Sequence, residues 1–447
     1  MKGLKLGLMV LMATMLAVGL GGMAYAFHSG GVAECEGCHS MHNSFEGEPN
    51  VTGRSFAQGT GPYLLKANDQ SGACLNCHNA ADTAPSGYHV STNGVVAYDT
   101  SSPVEMTPGG DFAWLKKTMS YQQVRGTSSS TITVEGARHG HNVYAGDFGY
   151  VGDPTFSVAP GGSYPAGAPF GCQSCHDPHG RYRRLADGSV ATTGLPIFNS
   201  GSYNNSKDPV AGVAAVGVYR ILGGAGYQPK SLGGSYAFTA NPPTAVVAST
   251  YNRSEATAQT GIAYGADMSE WCANCHTGML QASYTSGMAG LRHPSGNGAK
   301  LTAEIANNYN AYVSSGIMTN TTAAAAFSTL APFEEGQRDY SQLKAHAVTS
   351  STYSNQNMVS ASTNAQVACT SCHRSHASAF ESMLRWNYAG GEFMTAADSA
   401  NNAIYDSVNG RGTGYSQTQQ QNAYYGRQAT VFGPNARVYC NKCHAKD

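Results

Sequence analysis

Apolar residues crowd one end of the chain. After Lys2 and Lys5 an apolar stretch runs from Leu6 to Met23 and stops at Ala24-Tyr25-Ala26. A basic start, an apolar middle and a small-x-small end predict a secretory signal peptide over residues 1–26, with the mature chain beginning at Phe27. An uncleaved membrane anchor is the competing reading, but small residues interrupt the run ahead of a good cleavage site. No later stretch is long enough to cross a bilayer as a helix, and no regular series of alternating strands suggests a membrane barrel, so no membrane span is expected after cleavage. Helical patterning is sparse: from Asp111, an N-cap ahead of "FAWLKK"; from Thr302 through "AEIANNYNAYV"; over Thr321 to Leu330; and from Ala377 to Trp386. Strand signals are short, and "GGSYPAGAPFG" and "SGSYNNSKDP" are turn chemistry. The predicted fold class is mostly irregular coil with short α-helices and few short strands.

Composition sharpens that picture. Charged residues make up 12% of the chain, half the usual ~25%, and 54 glycines in 447 residues exceed the usual ~7%, so long salt-bridged helices are not expected. A net charge of −1 with no basic stripe argues against nucleic acid as a partner. The length alone would suggest two or more domains, and the cysteines argue against dividing it.

All twelve cysteines fall into six pairs of one spacing, each followed at once by histidine: Cys35/Cys38, Cys74/Cys77, Cys172/Cys175, Cys272/Cys275, Cys369/Cys372 and Cys440/Cys443. Export favours disulfides, yet a disulfide framework places no demand on the following residue. At the overall histidine frequency, six such followers would arise by chance roughly once in a billion, which also disposes of a zinc reading. CxxCH is the attachment motif of a c-type haem: two thiols add to the porphyrin vinyl groups, and the next imidazole ligates the iron. Six covalent haems are expected, with His39, His78, His176, His276, His373 and His444 as proximal ligands.

Nine histidines remain: His28, His42, His89, His139, His141, His179, His293, His346 and His376. Ten methionines survive signal cleavage, but the histidine surplus favours bis-histidine iron, which sits at lower potential than methionine-ligated iron. His42, His179 and His376 each lie three residues after a proximal ligand, in "CHSMH", "CHDPH" and "CHRSH". Spacing i, i+3 predicts one side of a helical turn, and so short a tether points the second imidazole at a different haem, coupling neighbours. His28, His89, His141, His293 and His346 compete for the three remaining places, and His139 in "RHGH" is the most dispensable.

First cysteines are spaced 39, 98, 100, 97 and 71 residues apart, and the sequence between does not repeat. The stretch from Gly180 to Cys272 holds no histidine and is expected to pack, insulate or meet another subunit. Its "GGAG" lacks the context of a dinucleotide loop. The 26 tyrosines are expected to pack against apolar surface. With so little periodicity, the porphyrins themselves would supply the core, making residues 27–447 a single hexahaem domain. Iron with two protein ligands has no vacant position, so electron transfer is expected rather than catalysis. The alternative is a monomeric secreted or periplasmic multihaem carrier, or a reductase acting on a small oxidised substrate; reductases of the nitrite type commonly carry CxxCK at the open haem, and all six motifs here end in histidine.

The blocks "FHSGGVAECEGCHSMHNS", "MTPGGDFAWLKK", "CHDPHGRYRRLADGSVATTGLPI", "YRILGGAGYQPKSL", "MSEWCANCH", "LAPFEEG" and "CNKCHAKD" resemble the extracellular, filament-forming hexahaem cytochromes of metal-reducing bacteria, along nearly the whole mature chain. The resemblance implies a core of six stacked haems, secretion past the outer membrane, and head-to-tail polymerisation into a filament. It further implies electron delivery to insoluble metal oxides, electrodes or other cells, with outer-membrane or periplasmic cytochromes upstream. It also implies that His42 ligates a haem of the next subunit, the one at Cys369 and Cys372. His139 beside His141 leaves the ligand choice in that segment open.

Overall fold

The computed structural model describes residues 35–42, 62–80, 88–125, 128–167, 170–230, 232, 235–248, 262–280, 293–314, 332–347, 364–386, 415–425, 440 and 443–444. The signal segment, His28 and the helix expected over Thr321 to Leu330 lie outside them.

The helices are short: α1 (Cys35–Cys38), α2 (Gln70–His78), α3 (Met268–Cys272), α4 (Ala303–Ser314), α5 (Tyr340–His346), α6 (Cys369–Cys372) and α7 (Gln417–Ala423). Side chains start them as capping chemistry requires: Asp69 Oδ1 accepts from Gly72 N at 2.7 Å, and Thr302 Oγ1 from Ile305 N at 3.2 Å. The expected start at Asp111 is present, its carboxylate accepting from Ala113 N at 2.7 Å, but it opens only a 3-10 turn, Phe112–Lys116. Asp111 also accepts from Thr92 and Glu105, and Lys117 Nζ is drawn to the carbonyls of Val96 and Asp99. Those tertiary bonds take the chain out of helical register.

The helix expected from Ala377 to Trp386 does not form. Ala377 instead bridges both Gly110 and Gly140, Ser378 N donates to His139 O, and the only helical residues are a 3-10 turn, Glu381–Met383. A Cβ on Gly140 would lie 2.5 Å from that of Ala377, so glycine permits the close approach that replaces the helix.

The strands are β1 (Asn79–Ala80), β2 (Ser91–Thr92), β3 (Met119–Arg125), β4 (Ser128–Val134), β5 (Tyr144–Ala145), β6 (Tyr150–Val151), β7 (Arg183–Arg184), β8 (Val190–Ala191), β9 (Val216–Gly217), β10 (Thr244–Val246) and β11 (Ala263–Ala266). β3 and β4 form an antiparallel hairpin from Met119↔Val134 to Arg125↔Ser128, and β8-β7-β9 is the one three-stranded sheet among the described residues. No described helix is long and apolar enough to cross a membrane.

Buried apolar side chains form several separate clusters rather than one core. The largest gathers Trp114, Phe380, Trp386 and Tyr424 and touches Cys372 and Cys443; a second touches Cys272 and a third Cys275. These three clusters end on the attachment motifs, where a porphyrin face would continue them. The histidine-free stretch supplies much of that packing: Tyr227 Oη donates to the carbonyls of Gln173 and His176, at 2.6 and 2.7 Å, while its ring meets Phe238 edge-on.

Candidate metal centres

In each CxxCH segment a single turn of backbone sets the geometry. The amide of His39 donates to Cys35 O at 2.8 Å, and His176, His276, His373 and His444 repeat the bond to their own first cysteines at 2.9–3.0 Å. All twelve cysteines are unpaired, which removes the disulfide framework. Among the described residues no group of three or more His, Cys, Asp or Glu side chains could hold a metal ion; imidazoles are offered in pairs or singly, as a macrocycle filling the other positions requires.

The proximal imidazoles share a second feature. Nδ1 of His39, His78, His176, His276 and His373 lies 2.7–3.0 Å from the carbonyl oxygens of Tyr63, Tyr88, Arg220, Pro160 and Ser382. A carbonyl only accepts, so Nδ1 carries the proton and Nε2 keeps its lone pair for a metal. His141 is fixed in the same way by Ser375 O at 2.7 Å and His293 by Pro294 O at 2.7 Å. Burial holds His141 and His176 down at about 4 and His376 at about 3, so these rings are neutral at physiological pH, as metal ligation requires.

Three proximal rings face a second histidine across a gap. The centroids of His39 and His179 lie 6.5 Å apart with planes 4° apart; His276 faces His141 at 6.0 Å and His444 faces His293 at 6.1 Å. Direct ring contact is closer, as for Phe112 on His376 at 4.6 Å. Two imidazoles bound through Nε2 to one metal, with bonds of about 2 Å, have centroids roughly 6 Å apart. The three gaps therefore fit an iron held from both sides, and the residues present fit a bis-histidine haem. His179 also shows the second histidine of CHxxH reaching a proximal ligand other than its own.

It does not do so from a helical turn. Helix α6 stops at Cys372 and His373 is extended, with φ −111° and ψ 153°. The reason is a five-residue segment met three times. Pro62-Tyr63-Leu64-Leu65-Lys66, Tyr219-Arg220-Ile221-Leu222-Gly223 and Glu381-Ser382-Met383-Leu384-Arg385 pair antiparallel with the first, third and fifth motifs, through His39↔Leu65, His176↔Leu222 and His373↔Leu384. In each, the second residue's carbonyl takes the imidazole. The third residue's carbonyl takes the amide after the histidine (Ser40, Asp177 or Arg374, 2.7–2.8 Å), and the fifth residue's amide donates to the carbonyl before it (Cys38, Cys175 or Cys372, 2.9 Å). The chain thus does repeat, in backbone geometry rather than in sequence.

Consecutive motifs meet in chain order. Cys77 is among the close neighbours of Cys38, Cys175 of Cys275, and Cys440 and Cys443 of Cys372. Between those neighbours Cys172 lies against Cys74 and Cys369 against Cys272, sulfur positions that carry no S–H once thioether links to haem form. The two latter joints are built alike: Ser71 Oγ accepts the amide of Cys172 at 3.1 Å, and Ser269 Oγ that of Cys369 at 3.0 Å.

The other candidate histidines lie apart from these three pairs. His376 stacks on Phe112, and after burial the charge lowering it most is that of His176. His42 is exposed, beside exposed Met41. His89 has Nδ1 3.9 Å from Glu105 Oε1, and His346 has Nδ1 2.7 Å from Glu335 Oε2. His139 is wholly buried with Nδ1 3.2 Å from Trp114 O; the residue the sequence makes most dispensable is one of the largest side chains to be fully enclosed.

No family model matches the chain. Over 450 aligned residues, and over the whole of both chains, it is 55% identical to C-type cytochrome OmcS of Geobacter sulfurreducens. Two solved structures, one from cryo-electron microscopy of the OmcS nanowires and one of the Outer Membrane Cytochrome S filament of the same organism, align with 94% of this chain and all of theirs. They do so at 54% identity, with TM-scores of 0.82 and 0.81. Six CxxCH attachment sites, imidazole pairs spaced for iron and a relative of this identity along the full length make the chain a member of the OmcS family of c-type cytochromes.

Proposed function

We propose that this cytochrome carries electrons outside the cell as a head-to-tail filament, along six bis-histidine haems arranged in chain order. The observation that carries the reading is the contact of each attachment motif with the next. A haem with two imidazole ligands supplies a one-electron ferric/ferrous couple and no vacant face for a substrate. The protein's own residues do the rest: Ser71 and Ser269 tie neighbouring motifs together, and carbonyl-bound Nδ1 leaves Nε2 of His39, His78, His176, His276 and His373 free for iron. Delivery to metal oxides, electrodes or other cells, and supply from outer-membrane or periplasmic cytochromes, belong to the same reading, as do export by residues 1–26 and a single domain over 27–447.

The internal repeat supports one set of distal ligands. His179, after the third motif, faces His39 of the first, and His376, after the fifth, lies nearest in charge to His176 of the third. Each second histidine reaches back by one such module. Applied to His42, the same step leads out of the chain, to the fifth site, His373, of a neighbouring subunit. His141 and His293 serve the fourth and sixth sites, each from the segment ahead of the preceding odd motif; by that order His28 serves the second. His89, His139 and His346 are then supporting residues. A ligand passed from one copy to the next makes a heterologous contact that does not close and so propagates.

The test is His42→Ala. Mass spectrometry should still count six haems, while filaments shorten or vanish and one haem per chain loses its strong sixth ligand. Filaments of normal length with six low-spin haems would rule out His42 as the inter-subunit ligand. Saturable turnover of nitrite or hydroxylamine by the unsubstituted protein would favour the reductase instead.

A further inference from the structure

Six of the ten described non-glycine residues with positive φ lie in the three segments that clasp the first, third and fifth motifs: Tyr63 (58°) and Leu64 (62°), Arg220 (50°) and Ile221 (48°), Ser382 (57°) and Met383 (58°). Two successive left-handed residues, none of them Gly, Asn or Asp, cost about 1–2 kcal/mol each, and the same cost appears three times at the same place relative to a haem ligand. Strain of this kind persists only where the surroundings over-determine it, and it gathers at working sites.

The bonds say what it accomplishes. In a left-handed turn the carbonyl between the two central residues points to the side opposite that of a type I turn, whose first central residue has φ near −60°. That orientation puts Tyr63 O, Arg220 O and Ser382 O on the proximal Nδ1 at 3.0, 2.7 and 2.7 Å. The following carbonyl holds the amide that begins the tether to His42, His179 or His376. One strained turn therefore fixes the proximal ring and launches the bridging histidine. At the second and fourth sites Tyr88 and Pro160 supply the carbonyl, and neither residue has a positive φ.

We propose that Tyr63, Arg220 and Ser382 are positioning residues that set the redox poise of alternate haems. By turning a carbonyl onto the Nδ1 proton they raise the electron density at Nε2, favour ferric iron and lower the potential at the first, third and fifth sites. The inference rests on the proposed ligand assignment. Ser382 gives the cleanest test, because its side chain is exposed and proline there can keep the Leu384 N to Glu381 O bond (3.3 Å) in a type I turn, with both central residues at negative φ, while reversing the Ser382 carbonyl.

In the six-haem Ser382→Pro protein, one of the six one-electron steps should move to more positive potential in a spectropotentiometric titration. One low-spin ferric signal should change its g-values, and five should stay as they were. Ser382→Asn, which tolerates the left-handed turn, should titrate as the parent. A proline variant indistinguishable from the parent would overturn the inference. So would loss of a haem from that variant, which would make the turn a folding element alone, or equal behaviour of the two variants. A parent with fewer than six haems, or with high-spin iron, would refute the ligand assignment itself.

Discussion

At the third attachment site the proximal imidazole rests on Arg220 O, inside a turn whose two central residues are left-handed. At the fourth, His276 rests on Pro160 O at 2.8 Å, and the chain beside it closes through Gly161 and Gly162, with Gly278 N donating to Gly161 O at 2.6 Å. Both sites produce the same tautomer of the same ligand. The difference lies in the residues just after the histidine. The odd motifs carry a second histidine three residues on, proposed above to serve another haem, and a strained turn that grips the backbone on both sides of the proximal residue fixes where that tether starts. The even motifs have no second histidine to aim, and glycine or an extended segment is enough.

Breaking the odd arrangement at its centre should have the largest effect. Arg220 N donates to Ser202 Oγ at 2.8 Å and its guanidinium lies over the rings of Tyr203 and Tyr219, at 5.5 and 5.6 Å. Arg220→Pro removes that amide, the stacking and the left-handed φ together, for a loss on the order of 3 kcal/mol. Thermal unfolding followed at the Soret band should fall by many degrees, and more than for the same change at exposed Ser382.

The odd sites were only half legible. CxxCH and the extra histidine are covalent and coordination requirements, so they are written in residue types. The turns are written in backbone geometry, and "PYLLK", "YRILG" and "ESMLR" share only the fourth-place leucine, with no glycine or asparagine at the second and third places to announce positive φ. The same blind spot produced the helix expected from Ala377 to Trp386, where apolar spacing suggested a helical face while pairing with Gly110, Gly140 and His373 decided otherwise. His141 could be told from His139 only by what each ring faces.

A pH titration sharpens the boundary between the fourth and fifth sites. Glu334 is fully buried there, Oε1 accepting from Met268 N at 2.7 Å, with Glu270, Asp267 and Cys369 among the groups around it and Arg338 paired to Asp267. Burial pushes its carboxyl up to about 8, against an unfolded value of about 4.3. The folded chain thus holds a proton that the unfolded chain releases, so this contribution is fully present below the unfolded value and lost as pH rises through about 8. Melting temperature should decline from about pH 5 to about pH 8 and level off above, and Glu334→Gln should flatten that decline. An unchanged slope in the variant would show that the carboxyl is already ionised in the fold.

On the even side, a Cβ at Gly162 would lie 1.8 Å from Cys275 O. Gly162→Ala must therefore move the backbone of the fourth attachment site, at a cost of about 1–3 kcal/mol. Differential scanning calorimetry should register the loss while the spectra of the odd haems stay unaltered. Disturbance of all six would mean that the two classes of site do not act independently.

The smallest effect tests the joints where an even site hands over to an odd one. Ser71 and Ser269 sit three residues before the second and fourth motifs, each is buried, and each accepts the amide of the first cysteine of the next motif. Replacing either by alanine leaves one partly buried N–H without its acceptor, worth about 1 kcal/mol. If one device is used twice, the two single variants should cost the same. The joints share no residues, so the double variant should cost their sum within about 0.5 kcal/mol. Chemical denaturation resolves both comparisons. Unequal costs would mean that the likeness of the two joints is one of geometry alone, with neighbouring packing and not the serine bond holding one of them together.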